Sequence, residues 1–118
     1  MADYLPLFSP GAQVTFTASA AIEGGQAVEV TGDRTVGPAG PGSTKYVGVA
    51  GHSAAAGAKL VVHVRGQVQR IKSAGVIAAG ALVETGAAGT AAAGTTAPIG
   101  VALTAAAKAG DLVQVLDR

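Results

Sequence analysis

Along this chain apolar and polar residues alternate in short runs, and glycine separates one run from the next. Val14 and Phe16 share a side opposite Thr15 and Thr17. Val28 and Val30 flank Glu29, and Val47 and Val49 flank Gly48. Leu60, Val62 and Val64 alternate with Val61, His63 and Arg65. Ile99, Val101 and Leu103 alternate with Gly100 and Ala102, and Val113 and Val115 flank Gln114. A period of two in β-branched residues, bounded by turn formers, predicts short strands. A helical period is sustained nowhere. Ala54–Ala58 and Thr104–Ala109 are rich enough in alanine for one helical turn each, and a glycine stops each of them. The pattern predicts an all-β protein.

The same order of elements occurs twice. Ile22-Glu-Gly-Gly-Gln-Ala-Val-Glu-Val-Thr-Gly32 parallels Ile77-Ala-Ala-Gly-Ala-Leu-Val-Glu-Thr-Gly86, and Val47-Gly-Val-Ala50 parallels Ile99-Gly-Val-Ala102. Ala54-Ala-Ala-Gly57 before Val62-His-Val64 parallels Ala105-Ala-Ala-Lys-Ala-Gly110 before Val113-Gln-Val115. The offset is 55 positions from Gly25 to Gly80 and 52 from Val47 to Ile99, so the copies differ by small insertions. These pseudo-repeats cover about 21–66 and 76–118. Two copies are too few for a solenoid and predict a small barrel or sandwich built from two similar halves. Residues 12–118 read as a single β domain. Residues 1–11 read as an extended N-terminal arm, because Pro6 and Pro10 disfavour helix. Gly37–Ser43 reads as a loop kept out of the ladders by its prolines and glycines. Gly86–Pro98, without charge or bulk, reads as a mobile hairpin or loop.

Composition narrows the function. Hydrophobic residues make up 49% of the chain but aromatic ones only 3%, so the core is made of small side chains. Each buries little area, which leaves a lone protomer marginal and makes self-association a natural support. Cysteine is absent, which excludes disulfides and thiolate metal sites. The net charge is +1 and the eight basic residues are scattered, unlike a nucleic-acid surface. There is no long apolar stretch to span a membrane as a helix. Met1-Ala2-Asp3-Tyr4 has no basic start or apolar stretch after it, so it predicts a protein made and used without secretion.

No catalytic, cofactor or metal site emerges. In Gly37–Lys45 the lysine stands three positions after Gly42, whereas a phosphate loop needs it directly after glycine. Gly51-His-Ser-Ala-Ala55 lacks the second glycine of a nucleophile elbow. His52 reads as a loop residue, and His63 as a solvent-facing strand residue beside Arg65. Glu29 and Glu84, equivalent under the repeat, read as solvent-facing strand positions. Arg65, Arg70 and Lys72 form the densest basic patch, read as a solvated edge or an acidic-partner contact. Two features point to protein contacts. The last strand is apolar on both faces, with Leu112 and Leu116 opposite Val113 and Val115, which marks a candidate subunit interface. Tyr4, Leu5, Leu7 and Phe8 concentrate bulk in the arm, and are candidates for docking on a partner or covering the domain's own core.

Three stretches resemble a small domain family common in tailed-phage genomes and encoded among the head genes. They are Pro10-Gly-Ala-Gln-Val-Thr-Phe-Thr-Ala18 with Gly25-Gln-Ala-Val28, Lys45-Tyr-Val-Gly-Val-Ala50, and Ile99-Gly-Val-Ala-Leu-Thr-Ala-Ala-Ala-Lys-Ala-Gly110 with Val113-Gln-Val115. Members are sometimes labelled recombinase-like, and some resemble capsid decoration proteins. The ATP-binding lysine pattern that the recombinase label needs is missing here. The resemblance implies a non-enzymatic cement protein on the outer capsid surface of the virion. It would be a homotrimer at local threefold positions, with the major capsid protein and itself as partners. It implies no cofactor, nucleic acid, membrane or small-molecule substrate, and no catalytic residues to transfer. The alternatives are another virion part, such as a head fibre base or tail protein, and a biotinyl- or lipoyl-type carrier domain presenting Lys45.

Overall fold

A computed structural model describes residues 13–117 and is all-β. Ten strands follow one another: β1 Gln13–Ala18, β2 Ala27–Gly32, β3 Thr35–Pro38, β4 Tyr46–Ala50, β5 Lys59–Val64, β6 Val68–Lys72, β7 Leu82–Thr85, β8 Ala91–Ala93, β9 Gly100–Ala102 and β10 Leu112–Asp117. The first five close into a barrel in the order β1-β3-β2-β4-β5, with β5 pairing back onto β1. The last five form a sheet in the order β6-β10-β9-β7-β8. A parallel bridge between Ser73 and Ala91 returns β8 to the end of β6.

The two halves share one pairing scheme. Antiparallel β1·β5, β5·β4, β4·β2 and β2·β3 correspond to β6·β10, β10·β9, β9·β7 and β7·β8. The parallel contact of β1 with β3 corresponds to the Ser73–Ala91 bridge. The bridges Ile22–Ala54 and Ile77–Ala106 are also counterparts. The repeat thus includes β1 and β6, whose side chains share no motif: Gln13-Val-Thr-Phe-Thr against Val68-Gln-Arg-Ile-Lys.

The barrel is filled by Ala18, Ile22, Val28, Val36, Ala50, Leu60 and Val62. A second cluster joins the halves. Ile71, Ile77, Val83, Val113 and Val115 of the second half pack with Ala27, Ala39, Tyr46 and Val49, part of which is the outer wall of the barrel. Small residues on that wall let the sheet approach closely, so both faces of β2 are buried where Ala27 and Val28 lie.

Three expectations are corrected. The alanine runs form no helix: Ala54 and Ala106 make β-bridges, and tight turns follow at Ala55–Ala58 and Lys108–Asp111. Gly37 and Pro38 belong to β3, where Pro38 ends the strand beyond the stretch paired with β1, so its missing N–H breaks no ladder there. Gly86–Pro98 is not a loop throughout: it holds the turn and second strand of a β7–β8 hairpin, with residues 94–98 outside the strands. Ala91 is fully buried in β8, preceded by a 3₁₀ turn at Ala87–Gly89 whose Gly89 N–H donates to the Ala39 carbonyl at 2.8 Å.

Candidate contact surface

The outer face of the second sheet carries the surface of interest. Along β10 the side chains of Val113 and Val115 point into the core, so Leu112, Gln114 and Leu116 point out. Gln69 and Ile71 of β6 point in, leaving Val68, Arg70 and Lys72 outside. Cross-strand register then aligns Val68 with Leu116, Leu116 with Val101, and Val101 with Leu82. The result is one apolar row across four strands, half-buried at its centre and open at Val68 and Leu82, which are 52% and 43% exposed.

Leu112 and Leu116 therefore belong to different parts of this face. Leu116 sits in the row. Leu112, 59% exposed, lies opposite Lys72 at the other end of β10. There it lines a cleft of about 280 Å³ between the halves, with Glu23, Gln26, Arg70, Lys72 and Thr90. The basic patch is likewise divided. Arg70 and Lys72 border this cleft. Arg65 instead lies over the Tyr46 ring, 5.4 Å from its centroid, beside Leu82, Pro98 and Val101. The arm residues Tyr4, Leu5, Leu7 and Phe8 lie outside the described residues.

Two carboxylates, both partly buried rather than freely solvent-facing, hold loops in place. Glu29 accepts the Gly40 N–H at 2.8 Å and pairs with Lys45 at 3.4 Å. The Gly40 bond, aided by Lys45 and opposed by burial, holds its carboxyl below the ordinary glutamate range. Glu84 accepts the Ala97 N–H at 3.2 Å in the equivalent loop. Sequence reasoning missed a third carboxylate, Asp117, which is buried and accepts from the Tyr46 hydroxyl at 2.6 Å and from the Gly66 and Gln67 N–H groups at 2.9 Å. Burial first, then the bond to Asp117 and its charge, push the Tyr46 phenol well above its ordinary pKa. This cluster ties β10 to β4 and to the link between the halves.

The histidines are structural. His52 donates from Nδ1 to the Ser53 carbonyl at 3.0 Å and accepts the Val61 N–H at 3.2 Å, while His63 is half-buried against Gly51 rather than solvent-facing. Among the described residues no group of three or more His, Asp or Glu is placed to hold a metal ion, and no helix is long and apolar enough to cross a membrane.

Residues 8–116 match the phage cement protein family. The chain belongs to that family. This phage cement protein is a capsid-associated structural part of the virion, and its function is capsid decoration. Its fold is also that of the N base of the head fibre protein gp8.5 of bacteriophage phi29. The two share 19% identity and a TM-score of 0.71 over 91% of this chain and 93% of that one. Among curated proteins none matches the cement protein significantly.

Proposed function

We propose that this cement protein binds the outer surface of a tailed-phage capsid as a homotrimer and bridges adjacent copies of the major capsid protein. The family match over residues 8–116 carries this reading. The role is mechanical. Each bridge adds contacts that must break before the shell opens, and three linked protomers combine weak contacts into a firm attachment. In this reading the arm residues Tyr4, Leu5, Leu7 and Phe8 are the capsid anchor. No cofactor or small-molecule substrate enters this reading. The test is to incubate purified protein with undecorated capsids, sediment the mixture and image the particles. Saturable co-sedimentation with added density on the outer surface is the expected result, and protein left in the supernatant would overturn the reading.

The fold likeness to the phi29 head fibre base supports a second reading, in which the domain seats a longer appendage on the head. Particle images separate the two. A base carries a projecting fibre at its site, whereas a cement protein ends in a compact knob. The carrier alternative has weaker footing, because Lys45 flanks β4 and pairs with Glu29 instead of crowning a hairpin.

A further inference from the structure

The large apolar side chains left exposed among the described residues are Val68, Val76, Leu82, Leu103 and Leu112, and all of them belong to the second half. The shared pairing scheme makes the comparison between halves residue by residue. The counterpart of the row Val68–Leu116–Val101–Leu82 is Gln13–His63–Val49–Ala27 in the barrel. There Val49 and Ala27 are 5% and 0% exposed, because the second half packs on them. On the second half the same wall is more apolar, with Val68 and Leu116 in place of Gln13 and His63; Leu116 and Val101 are half-buried there, Arg65 and Pro98 lie beside Val101 and Leu82, and Val68 and Leu82 stay open. The interface that joins the two halves thus has a partly open counterpart one repeat further on.

We propose that the row Val68–Leu116–Val101–Leu82 is the face by which one copy of this chain packs against a second copy. The proposal rests on the oligomeric reading above and names its surface. A second copy fits this face better than a cationic partner does. The four side chains of the row carry no charge, and its polar rim is Arg65 beside Leu82 and Val101 and the Arg70–Gln114 pair, the next cross-strand pair along β6 and β10. Contact between this face and a different face of the neighbour is head-to-tail, and such contacts close into rings when the rotation allows. Leu112 lies outside the contact.

The experiment is sedimentation equilibrium on the full chain, comparing wild type, the double variant Val68→Lys/Leu82→Lys and the control Leu112→Lys. All three substituted positions are exposed, so each variant folds, which circular dichroism checks. The expected result is an oligomer for wild type and Leu112→Lys, and at least tenfold weaker association for the double variant. A monomeric wild type, or a double variant of unchanged mass, overturns the proposal. Because the chain has no cysteine, Leu82→Cys carries a single thiol for a benzophenone crosslinker. Products at multiples of the chain mass support a second copy. Crosslinks confined within one chain would mean that its own residues occupy the row, and overturn the proposal. Capsid co-sedimentation is scored separately, so an oligomer that fails to bind capsids refutes the decoration reading and leaves this one standing.

Discussion

At the scale of single residues, the most consequential contact is the buried Asp117 carboxylate with its three donors, the Tyr46 hydroxyl and the Gly66 and Gln67 N–H groups. A buried carboxylate is tolerated only when hydrogen bonds replace its water. Here those bonds join the last strand to β4, 71 residues away in sequence. Replacing Asp117 by Ala strands the phenol and is expected to cost about 2–4 kcal/mol, and Tyr46→Phe about 1.5–3 kcal/mol, both read from urea unfolding. The pair also sets an alkaline limit. The folded-state pKa of Tyr46 is raised above the unfolded value of about 10, so its stabilising contribution is complete below that pH. Above it the unfolded chain loses a proton that the folded chain keeps, and stability falls by up to about 1.4 kcal/mol per pH unit. Tyr46→Phe should flatten this decline between about pH 10 and 12. An equally steep decline in the variant would assign it to other groups.

At the scale of elements, the signature Gly-Val-Ala of β4 and β9 has a steric cause. A Cβ on Gly48 would run into the His63 carbonyl oxygen of β5, and one on Gly100 into that of Leu116 in β10. The two collisions are equivalent under the repeat. Gly48→Ala and Gly100→Ala should each cost at least about 3 kcal/mol or prevent folding. Gly75→Ala, where a Cβ meets no atom within 4 Å, should be close to neutral. Thermal unfolding of the three variants checks this, and a near-neutral Gly100→Ala would refute the packing argument. The same glycines mark the limit of what was legible in the sequence. Alternation in Val14–Phe16, Leu60–Val64 and Val113–Val115 is enough to read strands and an inner face, and the paired motifs are enough to read two halves. Strict alternation, however, put Ile99, Val101 and Leu103 on one side. In the barrel, a bulge between Tyr46 and Gly48 shifts the phase, so Val47 packs inside and Val49 outside. In β9 Ile99 and Ala102 are likewise buried while Val101 and Leu103 turn outward. A local pattern does not register such a phase change, so the apolar row stayed hidden although Leu116 was already suspect. The strand β8 was missed for a related reason: Ala91–Ala93 carries no β-branched residue, and only tertiary contacts make it a strand.

At the scale of the whole molecule, the arm ahead of β1 is where folding and attachment can be separated. β1 begins at Gln13 and is paired on one side with β5 from Gln13 to Thr17 and on the other with β3 at Thr17 and Ala18. Removing residues 2–9 deletes no rung of these ladders. Deletion should therefore leave the thermal midpoint within about 4 °C of wild type, the shift expected from less than about 1 kcal/mol in a domain of this size. Capsid attachment should respond differently. Tyr4, Leu5, Leu7 and Phe8 hold half of the chain's four aromatic residues within five positions, and aromatic side chains bury the most area per residue on docking. If they are the anchor, each protomer loses its largest contact, and in a trimer the loss multiplies across three linked sites. The expected outcome is a folded, still oligomeric protein that no longer co-sediments with undecorated capsids. Wild-type occupancy by the truncated chain would remove the arm from the capsid contact, and failure to fold would reassign those four side chains to the protein's own core.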